Sequence, residues 1–160
     1  MEKKELKIQY AFCQMDELSA EDRELVLSAI EATRNSYAAY SHFHVGAAIR
    51  LDDGKIVIGA NQENAAYPAG LCAERTAIFA AQAQQPEHAI KAIAIAAKNE
   101  HGLLDNPVTP CGICRQVMLE IEDRYQQPMR ILLYGNDGVY VINTIRDLMP
   151  LSFVSASLED

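Results

Sequence analysis

Apolar positions along the chain fall into a few separable patterns. Leu25, Val26, Ala29, Ile30 and Thr33 recur at helical spacing, which predicts an amphipathic helix over 20–35. Ser19 stands before it as an N-cap, with Asp22 three residues on as an acidic capping partner. The stretch NSYAAYSHF ends that helix. Residues 45–51 and 55–60 read as strands around the turn Asp52-Asp53-Gly54, a hairpin. After the loop NQENAAYPAG, the run CAERTAIFAAQAQQ has the Ala-rich composition of a well-buried helix. Residues 90–97, IKAIAIAA, carry no charge after Lys91 and predict a central strand covered on both faces. The two prolines of KNEHGLLDNPVTP mark a loop. CGICRQVMLEIEDRY then shows helical spacing at Ile113, Val117, Leu119 and Ile121. Residues 129–134 and 139–142 flank Asn136-Asp137-Gly138, a second hairpin, before a short helix near 144–149 and the tail PLSFVSASLED.

These elements predict one α/β domain over 19–160, a three-layer α/β/α arrangement around a mixed five-stranded sheet whose last two strands form an antiparallel hairpin. Residues 1–18 are weakly patterned and predict an N-terminal arm or a short strand laid on the surface. A chain of 160 residues, 49% apolar, suffices for one buried core. No apolar run nears the roughly 18 residues needed to span a bilayer. The opening MEKKELKIQY has no apolar core of a signal peptide. The expectation is a cytoplasmic protein with no membrane partner.

Charge narrows the partners further. The net charge is −8 and the basic residues are scattered, whereas a surface that tracks phosphates needs clustered Lys and Arg. No nucleic-acid partner is expected, and the acidity reads as a solubility feature. Of four cysteines, Cys13 stands alone in the arm and reads as a small apolar residue. In a reducing compartment, paired cysteine spacing points to metal or redox chemistry.

The other three cysteines lie at two helix starts. Cys72 heads Cys-Ala-Glu-Arg, and Cys111 and Cys114 form a C-x-x-C pair after Pro110. Unpaired N–H groups and the positive end of a helix dipole face such positions and favour the thiolate. Three thiolates are one ligand short of a closed structural zinc site, and an open fourth position that holds water is what a catalytic zinc requires. None of the four histidines stands at zinc-finger spacing from either cluster. Glu74, two residues after Cys72, can sit beside that water as a general base without ligating the metal. Arg75 can offset the excess negative charge of three thiolates on Zn²⁺ by donating to the sulfurs. Taken singly, an acid in a first helical turn or a lone C-x-x-C is commonplace. Joined as C-x-E…P-C-x-x-C, they match the pattern of zinc-dependent nucleobase deaminases in its three-cysteine variant.

In the order YSHFHVGAAI, GANQENAAYPAGLCAERTAI, TPCGICRQVMLE and LMPLSF, the chain resembles the cytidine deaminases of the small, homotetrameric, three-cysteine type, over about residues 19–153. The resemblance implies hydrolytic deamination of cytidine and 2′-deoxycytidine, with one Zn²⁺ per subunit held by Cys72, Cys111 and Cys114. It makes Glu74 the proton shuttle and Arg75 a donor to the zinc thiolates. Asn61 and Glu63 would bind the ribose hydroxyls, Phe43 would pack against the nucleoside, and the backbone around Ala73 would meet the base carbonyl. Ala66, Tyr67 and Phe153 would reach a neighbouring subunit's pocket. Tyr37 and Tyr40 read as packing residues, and His42 and His44 as solvent or interface residues. Ala38 and Ala39 replace the Cys and Pro of many relatives, which predicts a looser turn, and His44 stands where Pro is common. Three rivals remain open: a deaminase of single-stranded nucleic acid, a deaminase of another cytosine-containing small molecule, and a non-catalytic zinc module. The first predicts a basic groove and, as in editing relatives, parallel final strands.

Overall fold

The structure is a computed structural model, and it describes residues 1–158. Helix α1 (Ala20–Ala32) begins at Ser19, whose Oγ accepts from the Asp22 N–H at 3.1 Å. The Asp22 carboxylate does not complete a reciprocal capping box. It turns to Arg130, whose Nε donates to it at 3.0 Å. The expected helix over 20–35 ends in a tighter 3-10 turn at Thr33–Asn35. Strands β2 (His44–Leu51) and β3 (Ile56–Ala60) form the first hairpin. Helix α2 (Ala73–Gln84) leads into the long strand β4 (Ile90–Asn99). Helix α3 (Gly112–Tyr125) leads into β6 (Arg130–Gly135), which turns antiparallel into β7 (Gly138–Ile142).

Two short strands raise the sheet from the expected five to seven. One is β1 (Ala11–Cys13), through which the arm pairs antiparallel with β7 while Tyr10 and Phe12 pack on Tyr140. The other is β5 (Gly102–Leu103), a two-residue return of the loop after β4. Neither is long enough to leave a periodic trace in the sequence. The sheet order is β1-β7-β6-β4-β2-β3, with β5 paired to β4 off that path.

Strand β4 is central, and its two faces differ in size. Ile93 and Ile95 join the cluster under α2 and α3, with Ile49, Ile78, Met118, Leu119, Ile131 and Leu133. Ala92, Ala94 and Ala96 join the cluster under α1, with Leu25, Val26 and Ala29. Small side chains on one face let α1 come close. A Cβ on Gly46 would lie 2.1 Å from the Ala29 carbonyl oxygen. On α3 the buried face runs through Cys114, Met118, Leu119, Ile121 and Glu122. Ile113, which the sequence pattern assigned to that face, is 63% exposed.

Strand directions fix where the chemistry sits. Strand β2 is antiparallel to both β3 and β4, and β4 is parallel to β6. Strands β3, β4 and β6 therefore run the same way, and α2 and α3 both start from their carboxyl ends. Crevices at the carboxyl ends of such strands are where α/β folds place ligands.

Candidate active site

Both helices begin on a cysteine instead of a capping oxygen. Cys72 is the N-cap of α2 and Cys111 the N-cap of α3, each with extended backbone and no side-chain cap. Cys114 follows one turn into α3 and is buried. The three sulfurs lie within 4.8 Å of one another. Tetrahedral zinc with Zn–S bonds of about 2.3 Å holds its sulfurs about 3.8 Å apart, so three sulfurs gathered within 4.8 Å suit one zinc. An S–H from Cys114 and the Arg75 guanidinium hold the Cys72 thiol down to about 5 despite its burial. Cys114, as the donor to Cys72 and a buried group, is pushed up. The pair thus shares a proton that a metal would displace.

Glu74 occupies the first turn of α2 and is 5% exposed. Burial pushes its carboxyl up, and the Cys72 sulfur adds to the effect. Arg75 Nη2 donates to Cys72 Sγ at 3.3 Å, and its Nε is buried without a hydrogen-bond partner among the described residues. A second group, Asp52, Asp53 and His88, also lies within 4.8 Å. It is closed by its own pairings: His88 Nδ1 meets Asp52 Oδ1 at 2.6 Å and Lys55 Nζ meets Asp53 Oδ2 at 2.9 Å. That cluster fastens the β2–β3 turn to the start of β4.

A cleft of about 560 Å³ opens onto Cys72 and Arg75, walled by Tyr40, Ser41, Asn61, Glu63, Asn64 and Tyr67. Its floor is the loop between β3 and α2, held at both ends by backbone pairing. Gln62 and Leu71 exchange N–H···O bonds of 2.8 and 2.9 Å, and Glu63 N donates to the Tyr37 carbonyl at 2.8 Å. The loop is therefore shaped before any ligand arrives.

Residues 19–126 match the family model of the cytidine and deoxycytidylate deaminase zinc-binding region. A cytidine deaminase of Halalkalibacterium halodurans is 37% identical over 140 residues, covering 87% of this chain and 99% of that one. The chain belongs to the cytidine and deoxycytidylate deaminase family. The crystal structure of the cytidine deaminase from Burkholderia pseudomallei superposes with a TM-score of 0.69 at 38% identity, covering 81% of this chain and 97% of that one. A blasticidin-S deaminase of Bacillus cereus is 32% identical over 138 residues, 85% of this chain and 94% of that one. The α/β fold and the zinc cofactor are those of the family.

Within the deaminase frame, the expected substrate residues divide. Asn61, Glu63 and Tyr67 line the cleft with Cys72 and Arg75. Phe43, Ala66, Ala73 and Phe153 do not line it. Phe43 borders a separate shallow cleft of about 310 Å³ with His42, Asn99, Glu100 and His101. Ala73 is fully buried at the start of α2, where its N–H has no acceptor within the helix. Phe153 is 59% exposed, and its carbonyl accepts from Gln116 Nε2 at 3.0 Å, which ties the tail to α3. Asn61 spends half its capacity on the scaffold. Its Oδ1 accepts from Val45 N at 2.8 Å, and its Nδ2 donates to the Phe43 carbonyl at 2.9 Å. Tyr40, expected as a packing residue, lines the cleft and meets Tyr67 edge-on at 6.1 Å. Ser41 lines it too, and nothing in the sequence pattern singled it out. The turn expected to be looser is closed by His42 N donating to the Ala38 carbonyl at 3.0 Å.

Proposed function

We propose that this protein is a zinc-dependent hydrolase that converts cytidine and 2′-deoxycytidine, with one water, to uridine and 2′-deoxyuridine plus ammonia. The observation that carries the reading is a buried carboxyl, Glu74, beside three clustered thiols, of which Cys72 faces a preformed cleft. Cys72, Cys111 and Cys114 would hold one zinc per subunit. When bound, the metal supplies a Lewis acid that makes an attacking water acidic near neutral pH.

The chain's own residues do the rest. Glu74 takes a proton from the attacking water and delivers it to N3 of the ring. It then takes the proton left on the new C4 hydroxyl and passes it to N4, so that the C4–N4 bond breaks and ammonia leaves as the C4 carbonyl forms. Its raised pKa suits a group that must hold a proton at one stage and release it at the next. Arg75 offsets the negative charge of the thiolates. Glu63 and the remaining capacity of Asn61 recognise sugar hydroxyls. The backbone at Ala73 would offer its N–H, which has no acceptor within the helix, to the base carbonyl. Phe43 borders a separate cleft and is given no contact with the nucleoside in this reading.

Free nucleoside is favoured over polynucleotide by the charge of −8 and by the antiparallel β6–β7 hairpin. A tetramer that shares its active sites is supported by the exposed apolar side chains near the cleft. Tyr67 is 77% exposed and Ile113 borders the metal ligands. Ala66, Tyr67 and Phe153 would then complete a neighbouring subunit's pocket. The reduced cysteines suit a cytoplasmic enzyme of pyrimidine salvage, and among the described residues no helix is long and apolar enough to cross a membrane. The likeness to blasticidin-S deaminase favours one second reading, a preference for another cytosine-containing small molecule.

Ultraviolet-monitored turnover of cytidine, 2′-deoxycytidine and blasticidin S by zinc-replete protein separates these readings. Cytidine turnover is expected to dominate, in a species that sediments as a tetramer. A stable, active monomer would remove the shared-site arrangement. Glu74→Gln is expected to keep its zinc and lose at least about 100-fold in kcat. Near-wild-type turnover by that variant would overturn the mechanism.

A further inference from the structure

One hydroxyl in the cleft wall joins two of the residues that the family resemblance assigns to the nucleoside. Ser41 sits in the turn between α1 and β2. Its Oγ donates to Glu63 Oε1, and the same Oγ accepts from Phe43 N at 3.1 Å. The second contact is a serine turn across His42, whose φ of 56° lies in the left-handed region. The other oxygen of Glu63, Oε2, accepts from Tyr40 N at 2.8 Å and Ser41 N at 3.2 Å. The Glu63 carboxylate is therefore gripped by two adjacent residues of a turn that lies 22 positions earlier in the chain.

Counting donors shows what this grip leaves free. A carboxylate offers about four lone-pair sites, and three are taken, two at Oε2 and one at Oε1. The remaining site is on Oε1, the oxygen that Ser41 holds. Glu63 is half-buried in the cleft wall, and without a tether its side chain would lose entropy on binding a ligand. Ser41 removes that cost in advance. It is also the first cause that holds the Glu63 carboxyl below its ordinary range, so the acceptor stays ionised.

We propose that Ser41 is the positioning residue for sugar recognition, fixing the Glu63 carboxylate so that its one open acceptor site meets a ribose hydroxyl. The inference rests on the reading of Glu63 as a hydroxyl ligand. It differs from a turn-stabilising role in its consequence. A turn defect weakens every substrate alike, whereas a misplaced Glu63 weakens only substrates that carry the hydroxyls.

The test is steady-state kinetics of the zinc-loaded enzyme and its Ser41→Ala, Ser41→Thr and Glu63→Gln variants on cytidine and 2′,3′-dideoxycytidine. Ser41→Ala is expected to raise KM for cytidine about tenfold, the scale of one lost hydrogen bond to a charged group. It should shift KM for the dideoxynucleoside less than about twofold, and Ser41→Thr should recover most of the cytidine KM by restoring the hydroxyl. Equal penalties on both substrates, or a loss confined to kcat, would overturn the proposal. If Glu63→Gln shows the hydroxyl-dependent penalty and Ser41→Ala does not, the role of Ser41 falls and that of Glu63 stands. If Glu63→Gln shows none, the reading of Glu63 falls and the inference with it.

Discussion

Glu74 and Glu122 are buried to the same degree, each 5% exposed, and their partners give them opposite roles. Glu122 is spent on the scaffold. Its Oε1 accepts from Met129 N and Ile145 N, both at 2.8 Å, and its Oε2 from Thr144 Oγ1 at 2.8 Å. It ties α3 to the start of β6 and to the 3-10 turn at Ile145–Leu148. Glu122→Ala strands two backbone N–H groups and is expected to cost about 3 kcal/mol of stability. Urea unfolding would measure the loss, while the folded, zinc-loaded fraction keeps its turnover. Little of this difference could be read along the chain. Glu74 is conspicuous because Cys72 and Arg75 flank it, so its chemistry is local in sequence. The partners of Glu122 lie 7, 22 and 23 residues ahead. Ser41 was missed for the same reason, since its partner Glu63 arrives only after a full hairpin.

Helix α2, which carries Cys72 at its start, is placed by a small residue beneath it. Gly59 of β3 lies under the first turn of α2, where a Cβ would sit 2.4 Å from both Ala73 O and Ala77 N. Gly59→Ala must lift that turn away from the sheet, and overpacking of this kind costs about 1–3 kcal/mol. Because Cys72 and Glu74 ride on the same turn, zinc retention and activity should fall together. Metal analysis after dialysis against a weak chelator, beside the cytidine assay, checks both. Retention of full zinc and full activity would show that the turn tolerates the shift. Periodicity found the elements that bury whole faces, such as β4 and α2. It misjudged α3 at Ile113, because the buried stripe there includes Cys114 and Glu122, which a hydrophobic pattern does not count. It passed over β5 and left β1 as an arm or short strand without a place in the sheet, because their pairing comes from backbone bonds and their side chains are too few to show a period.

At the scale of the whole molecule, the metal site joins parts of the chain that fold on separate crossovers. Cys72 belongs to the connection from β3 to β4, and Cys111 and Cys114 to the connection from β4 to β6. Both helices point their positive ends at the same place, and neither has a side-chain cap there. The exposed Tyr67 and Phe153 lie in segments on either side of this junction in the sequence, so the surface that would meet another subunit is anchored to the same two helix starts. Helix α1, on the opposite face, has its own serine cap and its own cluster of packed residues. Stripping the metal should thus act as a local conformational reagent. Hydrogen exchange after chelation is expected to accelerate at amides 73–76 and 112–115 while those of α1 keep their protection. Uniform acceleration across all three helices would mean that zinc supports the entire fold. The missing side-chain caps would therefore carry a consequence beyond catalysis: with the ion as the end-stop of each helix, a cell short of zinc is expected to hold this protein with its two working helices frayed at their first turns and its sheet intact.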